Sequence, residues 1–235
     1  VHVGRPVVDF GGGHQLAALR HAERTGEGQH IDMALLDTQV AMLANLGANY
    51  LVAGQRDGKV PGRMGNAHQN IVPYQVFEAS DGHLILAVGN DRQFAKFCEI
   101  AGQPGWATDP RFATNAERVR HRATLVPMLE DVIRQRPRDA WLAALEAAKV
   151  PCGSINSIGE ALADPQAQAR GAVVPMAHPL TPDLRLIASP MKLSATPVAY
   201  RHAPPLLGQH SDELLREAGC SEEEITVWRQ GGVIA

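Results

Sequence analysis

The order of apolar and polar residues along the chain predicts a mixture of helices and strands. A short helical pattern at residues 16–19 follows the glycines 11–13 and ends at Thr25-Gly26, where glycine permits a tight turn. A longer Ala- and Leu-rich pattern runs from Asp32, a residue type favoured at helix N-caps, to Gly54. Its apolar residues occupy more than one face, so we predict a long helix that is mostly buried.

Between residues 74 and 88 the pattern changes to that of a β-hairpin. Two apolar runs, 74–77 and 83–88, flank a turn that contains Asp81-Gly82. Short edge strands are predicted at 173–174 and 184–186, where prolines interrupt the apolar pattern. The remaining patterns predict helices capped by Asp91 and Asn115, helices over 139–149 and 158–163, a helix from Ser211, and a last helix with a Ser221–Glu224 capping box.

The composition is that of a soluble globular protein and excludes several classes of function. Hydrophobic residues make up 45% of the 235 residues, and the formal net charge of −3 provides no basic face for nucleic acid. There is no apolar run of about 18 residues and no leader-like start, so we expect no membrane contact. The three cysteines are widely spaced and odd in number, which favours neither disulfides nor zinc and predicts a cytoplasmic protein. The ten histidines lack metal-site spacing, and we predict no metal.

Asp9 is the first candidate for chemistry. It lies between the apolar residues 6–8 and the glycines 11–13, at the mouth of a packed element, where a nucleophilic carboxylate would have backbone amides nearby. An aspartate before a helix is also commonly a cap or a turn residue, so local chemistry leaves both interpretations open. The glycine run lacks a Walker lysine and the Gly-x-Gly-x-x-Gly spacing, which favours a flexible turn over a phosphate loop.

The Gly- and Pro-rich stretch 55–70 is the second candidate. Its composition is typical of a linker or a binding loop, and a domain boundary fits there. His68, Gln69 and Asn70 provide donors and acceptors that suit a ligand carboxylate or a thioester oxygen, although an ordinary polar connector has the same composition. The pair Asn90-Asp91 is explained more readily by helix capping than by a site.

Two longer motifs carry a resemblance to a known family. The segments RTGEGQHIDMALLD at 24–37 and NAHQNIVPYQVF at 66–77 resemble the class III CoA-transferases. Weaker similarities extend over nearly the whole chain, at residues 81–82, 87–94, 109–112, 150–153, 164–165 and 205–210. Members of this family are roughly twice as long, so the chain resembles their C-terminal half. The other half contains the nucleotide-binding region that supplies most CoA contacts.

The resemblance implies specific roles for the candidate residues. In this family the catalytic aspartate ends a Gly-x-x-x-x-Asp stretch, and Gly4 and Asp9 occupy these places. The Asp9 carboxylate is expected to form an acyl anhydride and then an aspartyl-CoA thioester while CoA moves from an acyl-CoA donor to a carboxylic acid acceptor. His68, Gln69 and Asn70 are expected to bind the substrate. They stand where formyl-CoA-transferase-like members carry glycines, which implies a different acyl group, for example succinate.

The resemblance also implies an architecture and an assembly. We expect an α/β chain in three parts: 1–54, the end of a Rossmann-like large domain with the catalytic aspartate; 55–188, a linker and a small α+β domain; and 189–235, a segment that returns to the large domain. An interlocked homodimer is implied, with CoA as a substrate and no other cofactor. Two alternatives remain open: an acyl-CoA racemase of the same superfamily, which moves an α-proton by acid–base chemistry, and a non-catalytic fragment or binding module.

Overall fold

The computed structural model describes residues 12–58 and 60–234 and divides the chain into two compact units, Val1–Ile155 and Asn156–Ala235. Helices and short antiparallel strands both occur in the described residues, which confirms the α/β class. Asp9 lies outside the described residues. The three-part division with boundaries after residues 54 and 188 stays a prediction.

The first helix of the first unit ends where the sequence predicts. Helix α1 spans Gly12–Thr25, and Gly26 follows it with a φ of 78°, which glycine adopts without strain. Gly12 and Gly13 lie within α1, so the interpretation of these two glycines as a flexible turn was wrong. Once a helix has formed, each added residue gains a hydrogen bond, and this outweighs the low helix propensity of glycine at a helix end.

A second helical stretch is interrupted and largely exposed. It consists of α2 Leu35–Met42, α3 Ala44–Asn49, a π-helical turn Tyr50–Gly54 and α4 Gln55–Asp57. The backbone is still extended at Ala34, so the prediction of Asp32 as the N-cap was wrong. Leu35 is 82% and Val52 77% exposed, so the prediction of a mostly buried helix was also wrong. Burial of an apolar face needs a second layer, and the described residues place none over these side chains.

A three-stranded antiparallel sheet lies at the centre of the first unit. Its strands are β1 Tyr74–Glu78, β2 His83–Ala87 and β3 Cys152–Ile155, in the order β1-β2-β3. The predicted hairpin is confirmed, with Tyr74 opposite Ala87 and Glu78 opposite His83. Strand β3 was missed because its sequence, Cys-Gly-Ser-Ile, has little β propensity; pairing with β2 places Ser154 opposite Leu84.

Four helices complete the first unit: α5 Asp91–Ile100, α6 Asn115–Arg120, α7 Arg122–Ile133 and α8 Arg138–Ala147. A 3₁₀ turn, Pro104–Ala107, follows α5. Helices α7 and α8 contact the sheet, and α5 contacts α8. One buried core results, which includes Phe77, Leu84, Leu86, Phe94, Phe97, Leu125, Leu129, Trp141 and Leu145.

The N-caps of α5 and α6 each lie one residue before the predicted position. The Asn90 side chain accepts a hydrogen bond from the Gln93 amide at 3.0 Å, and Thr114 accepts one from the Glu117 amide at 3.3 Å. The predictions of Asp91 and Asn115 as caps were therefore wrong. Both are the first residues of their helices, and their side chains make contacts with distant parts of the chain.

The second unit contains four helices and a small hairpin among the residues described there: α9 Ile158–Ala163, α10 Pro165–Ala169, β4 Val173–Pro175, β5 Arg185–Ile187, α11 Ser211–Glu217 and α12 Glu222–Gln230. Strands β4 and β5 pair antiparallel, and Ser221 with Glu224 forms the predicted capping box. Of the helices in the described parts of the chain, none has both the length and the apolar character needed to cross a bilayer.

Candidate functional site

Three of the four predicted site residues lie together in one loop. His68, Gln69 and Asn70 belong to the segment 66–70, which precedes β1 and is called the 66–70 loop below. Asp9 lies outside the described residues, so its role stays a prediction.

Contacts with β1 hold one side of the 66–70 loop. The Asn66 side-chain oxygen accepts a hydrogen bond from the Val76 amide at 2.8 Å, and the His68 amide donates to the Tyr74 carbonyl at 2.8 Å. The His68 ring stacks on Tyr74 with the ring centroids 5.3 Å apart. The Asn70 amide donates to Nδ1 of His68 at 3.1 Å, which requires an unprotonated Nδ1 and places the proton of the neutral ring on Nε2.

Side chains from α6 and α7 hold the other side of the loop. The Asn115 amide group donates to the Asn70 carbonyl at 2.8 Å, and its oxygen accepts from the Val72 amide at 3.1 Å. Nη2 of Arg122 donates to the carbonyl oxygens of His68, at 2.7 Å, and Gln69, at 2.8 Å. The carbonyl groups of three consecutive residues, 68 to 70, are therefore bound by helix side chains.

Arg118 is the buried anchor of this arrangement. Its side chain is fully buried, its Nε donates to the Val72 carbonyl at 2.7 Å, and its Nη1 donates to the Phe112 carbonyl at 2.9 Å. Nη2 donates to the Asp91 carboxylate at 2.8 Å, and the guanidinium lies 4.4 Å from the centre of the Phe94 ring. Burial lowers the pKa of Arg118 although the Asp91 carboxylate opposes this shift.

A spacing signal in the sequence could have identified these three anchors. Asn115, Arg118 and Arg122 are three and then four residues apart, and the buried Leu125 and Leu129 continue the same spacing along α7. Such spacing marks one face of a helix, here the face turned to the core. Polar residues on a core-facing stripe need hydrogen-bond partners inside the protein, which predicts that they bind backbone groups.

Two polar atoms at the loop are buried without a partner. Oε1 of Gln69 and Nη1 of Arg122 have no hydrogen bond within residues 12–58 and 60–234. Burial also lowers the pKa of the Arg122 guanidinium. The Asn70 residue, by contrast, is exposed. The loop thus has a fixed backbone and exposes Asn70.

Two surface depressions in the described parts of the chain are lined by residues outside the loop. One of about 560 Å³ is lined by Ala17, Arg20, His21, Arg24 and Thr25, all from α1. The other, of about 280 Å³, lies at the β4–β5 hairpin in the second unit. Within residues 12–58 and 60–234 a single helix lines the larger depression, so this part of the chain provides no facing wall that could enclose a ligand.

Two of the three cysteines have thiols whose pKa is raised, which makes them poor nucleophiles for an acyl group. Burial raises the pKa of the Cys98 thiol to about 12, and burial also raises the pKa of Cys152. At pH 8 only about 10⁻⁴ of Cys98 is then thiolate, the nucleophilic form. We therefore expect iodoacetamide to label Cys98 last in the native protein, as followed by peptide mass spectrometry. Labelling of Cys98 as fast as the half-buried Cys220 would contradict this expectation.

Comparisons with known proteins agree on one family. The family model described as CoA-transferase family III matches residues 1–211. The succinate–glutarate CoA-transferase of Agrobacterium fabrum is 46% identical over 211 residues, which cover 89% of this chain and 52% of that protein. The succinyl-CoA:glutarate CoA-transferase of Homo sapiens is 36% identical over 202 residues, which cover 86% of this chain and 45% of that protein.

A solved structure is similar over the same extent. The crystal structure of a CAIB/BAIF family protein from Brucella suis has a TM-score of 0.69 and 42% sequence identity, and the match covers 86% of this chain and 51% of that one. The chain thus spans about half the length of the curated relatives and of the solved structure that it matches.

Proposed function

The chain belongs to CoA-transferase family III, and from this membership we propose that the protein moves CoA from a dicarboxylic acyl-CoA to a second dicarboxylic acid. The observation that carries the proposal is the 46% identity with a succinate–glutarate CoA-transferase across 89% of the chain. Succinyl-CoA is the proposed donor and glutarate the proposed acceptor.

We assign the nucleophile to Asp9. Its carboxylate attacks the thioester carbonyl of the donor, the carbon–sulfur bond breaks, and an acyl anhydride and CoA thiolate result. The thiolate then attacks the Asp9 carbonyl of the anhydride, which releases the donor acid and leaves an aspartyl-CoA thioester. The acceptor carboxylate attacks that thioester to form a second anhydride, and the thiolate takes the acceptor acyl group, which restores the Asp9 carboxylate. The sequence consumes no net proton and no electrons.

We assign to the 66–70 loop the stabilisation of the negative charge that develops in these steps. Each attack at a carbonyl carbon produces a tetrahedral oxyanion, and fixed donors aimed at that oxygen lower the barrier. His68, Gln69 and Asn70 are the proposed donors. The hydrogen bonds to Asn115 and Arg122 support this assignment, because a loop whose backbone is already fixed loses little energy to reorganisation during the reaction.

The test is a transfer assay with the full-length protein, succinyl-CoA and glutarate. We expect glutaryl-CoA and succinate to form in equal amounts, as measured by liquid chromatography and mass spectrometry. Pentanoate, which has the chain length of glutarate but one carboxylate, is the matched acceptor and should react at least about tenfold more slowly, since it lacks one charge-assisted contact.

Three other outcomes would contradict the proposal. Equal rates with pentanoate would reject dicarboxylate selectivity. Deuterium uptake at the α-carbon of a 2-methylacyl-CoA without any transfer would favour the racemase alternative. An absence of transfer with every donor and acceptor pair tested would favour a binding module.

A further inference from the structure

One nitrogen of Arg122 binds two successive carbonyl groups of the 66–70 loop. Nη2 lies 2.7 Å from the His68 oxygen and 2.8 Å from the Gln69 oxygen, so both peptide planes are turned towards α7. Two hydrogen bonds from one guanidinium nitrogen restrict the orientation of both planes, which a single contact would not do. The conformation of the loop at Gln69 therefore depends on Arg122.

The contact of Arg122 with the His68 carbonyl also determines the direction of the Gln69 N–H. In a trans peptide the carbonyl and the following N–H point in opposite directions, and the cis peptide described in this chain is Val72-Pro73. Because the His68 carbonyl faces Arg122, the N–H of Gln69 points away from it. Within the described residues that N–H has no hydrogen-bond partner. Arg122 thus directs a backbone donor away from the helix.

An arginine at this place has two effects that oppose stability. The same stripe of α7 continues with Leu125 and Leu129, both fully buried. Arg122 leaves Nη1 buried without a partner in the described residues, and burial lowers its pKa, so both effects oppose a charged group there. An apolar side chain would avoid both costs but would leave the loop carbonyls unbound.

We propose that Arg122 is a positioning residue that holds the 66–70 loop in the conformation that stabilises the tetrahedral intermediates of acyl transfer. This inference rests on the proposed function. It assigns Arg122 no contact with the substrate: the residue acts through the peptide groups of His68 and Gln69.

The test compares Arg122→Met, Arg122→Lys and Leu125→Ala in the full-length protein. Arg122→Met should lower kcat by about 10- to 100-fold and leave KM for succinyl-CoA within about threefold, since the lost contact matters in the transition state. Arg122→Lys should be intermediate, because its ammonium keeps the charge on a shorter side chain. Leu125→Ala makes a cavity in the same stripe and should lower Tm but keep kcat, measured at a temperature where it is folded.

Hydrogen exchange of the loop amides provides a readout that does not require activity. The hydrogen-bonded amides of Ala67, His68 and Asn70 should exchange faster in Arg122→Met than in wild type, and at the wild-type rate in Leu125→Ala. The inference is overturned if kcat of Arg122→Met stays within twofold of wild type, or if Leu125→Ala loses as much kcat. If Arg122→Met does not fold, the same comparison is made with Arg122→Lys, and unchanged kcat and unchanged exchange overturn the inference.

Failure of the proposed function and failure of the positioning role give different experimental results. A wild-type protein that transfers no CoA rejects that function whatever the variants do. Faster exchange of the loop in Arg122→Met would still establish that Arg122 positions the loop, whereas wild-type exchange in an active protein would reject the positioning role alone.

Discussion

Replacing Asp9 with asparagine is expected to lower kcat for CoA transfer by at least about 10³-fold, because an amide cannot form the acyl anhydride. The measurement is the succinyl-CoA and glutarate assay, with Asp9→Ala as a second variant that cannot deamidate back to aspartate. Asp57→Asn, at an exposed aspartate of α4, is the control and should keep full activity.

Hydroxylamine trapping identifies the carboxylate involved. Both the anhydride and the aspartyl-CoA thioester react with hydroxylamine, which converts the activated carboxyl to a hydroxamate that peptide mass spectrometry locates. We expect the adduct at Asp9 in the presence of succinyl-CoA and none in Asp9→Asn. An adduct at a different carboxylate, or undiminished transfer by Asp9→Ala, would reject Asp9 as the nucleophile.

Replacing Arg118 with methionine is expected to lower the free energy of unfolding by about 3–5 kcal/mol, because its fully buried guanidinium binds two backbone carbonyls. The change removes the donors to the buried carbonyls of Val72 and Phe112 and the contact with the Phe94 ring. A buried carbonyl left without a partner costs about 1–3 kcal/mol. Urea denaturation of the full-length wild type and variant, measured side by side, checks the value.

The ion pair of Arg118 with Asp91 is a separate and smaller contribution. The Asp91 side chain is 53% exposed, so the ion pair lies at the protein surface on that side and water screens its charge. We therefore expect Asp91→Asn to lower stability by less than about 1 kcal/mol. A loss in Asp91→Asn equal to that in Arg118→Met would show that the ion pair, and not the backbone carbonyls, accounts for the effect.

Structures that depend on only a few neighbouring residues were predicted correctly. The alternation around Asp81-Gly82 identified the β1–β2 hairpin, and Ser221 with Glu224 identified the cap of α12. Each depends on hydrogen bonds or side-chain spacing within one turn of chain, which the residue types determine locally. The family motifs at 24–37 and 66–77 are also local, and the family match over residues 1–211 confirms the resemblance based on them.

Predictions that depended on neighbouring layers were less successful. The apolar residues of α2 indicated burial, but Leu35 is 82% exposed in the described chain. Strand β3 has a weak strand sequence and forms because the edge of β2 is available to it. The burial of α2 and the formation of β3 both depend on which element packs beside them. The residue pattern within an element does not specify its neighbour.

The sequence by itself determined the family of this protein, its α/β class, the hairpin and most helix positions, and it placed three candidate site residues in one loop. Only the tertiary structure showed how that loop is held. Its anchors Asn115 and Arg122 lie between 45 and 54 residues away from the carbonyl groups of residues 68–70 that they bind. Local patterns arise from hydrogen bonds between near neighbours, whereas a contact over such a distance exists only once the core has brought α6 and α7 beside the loop.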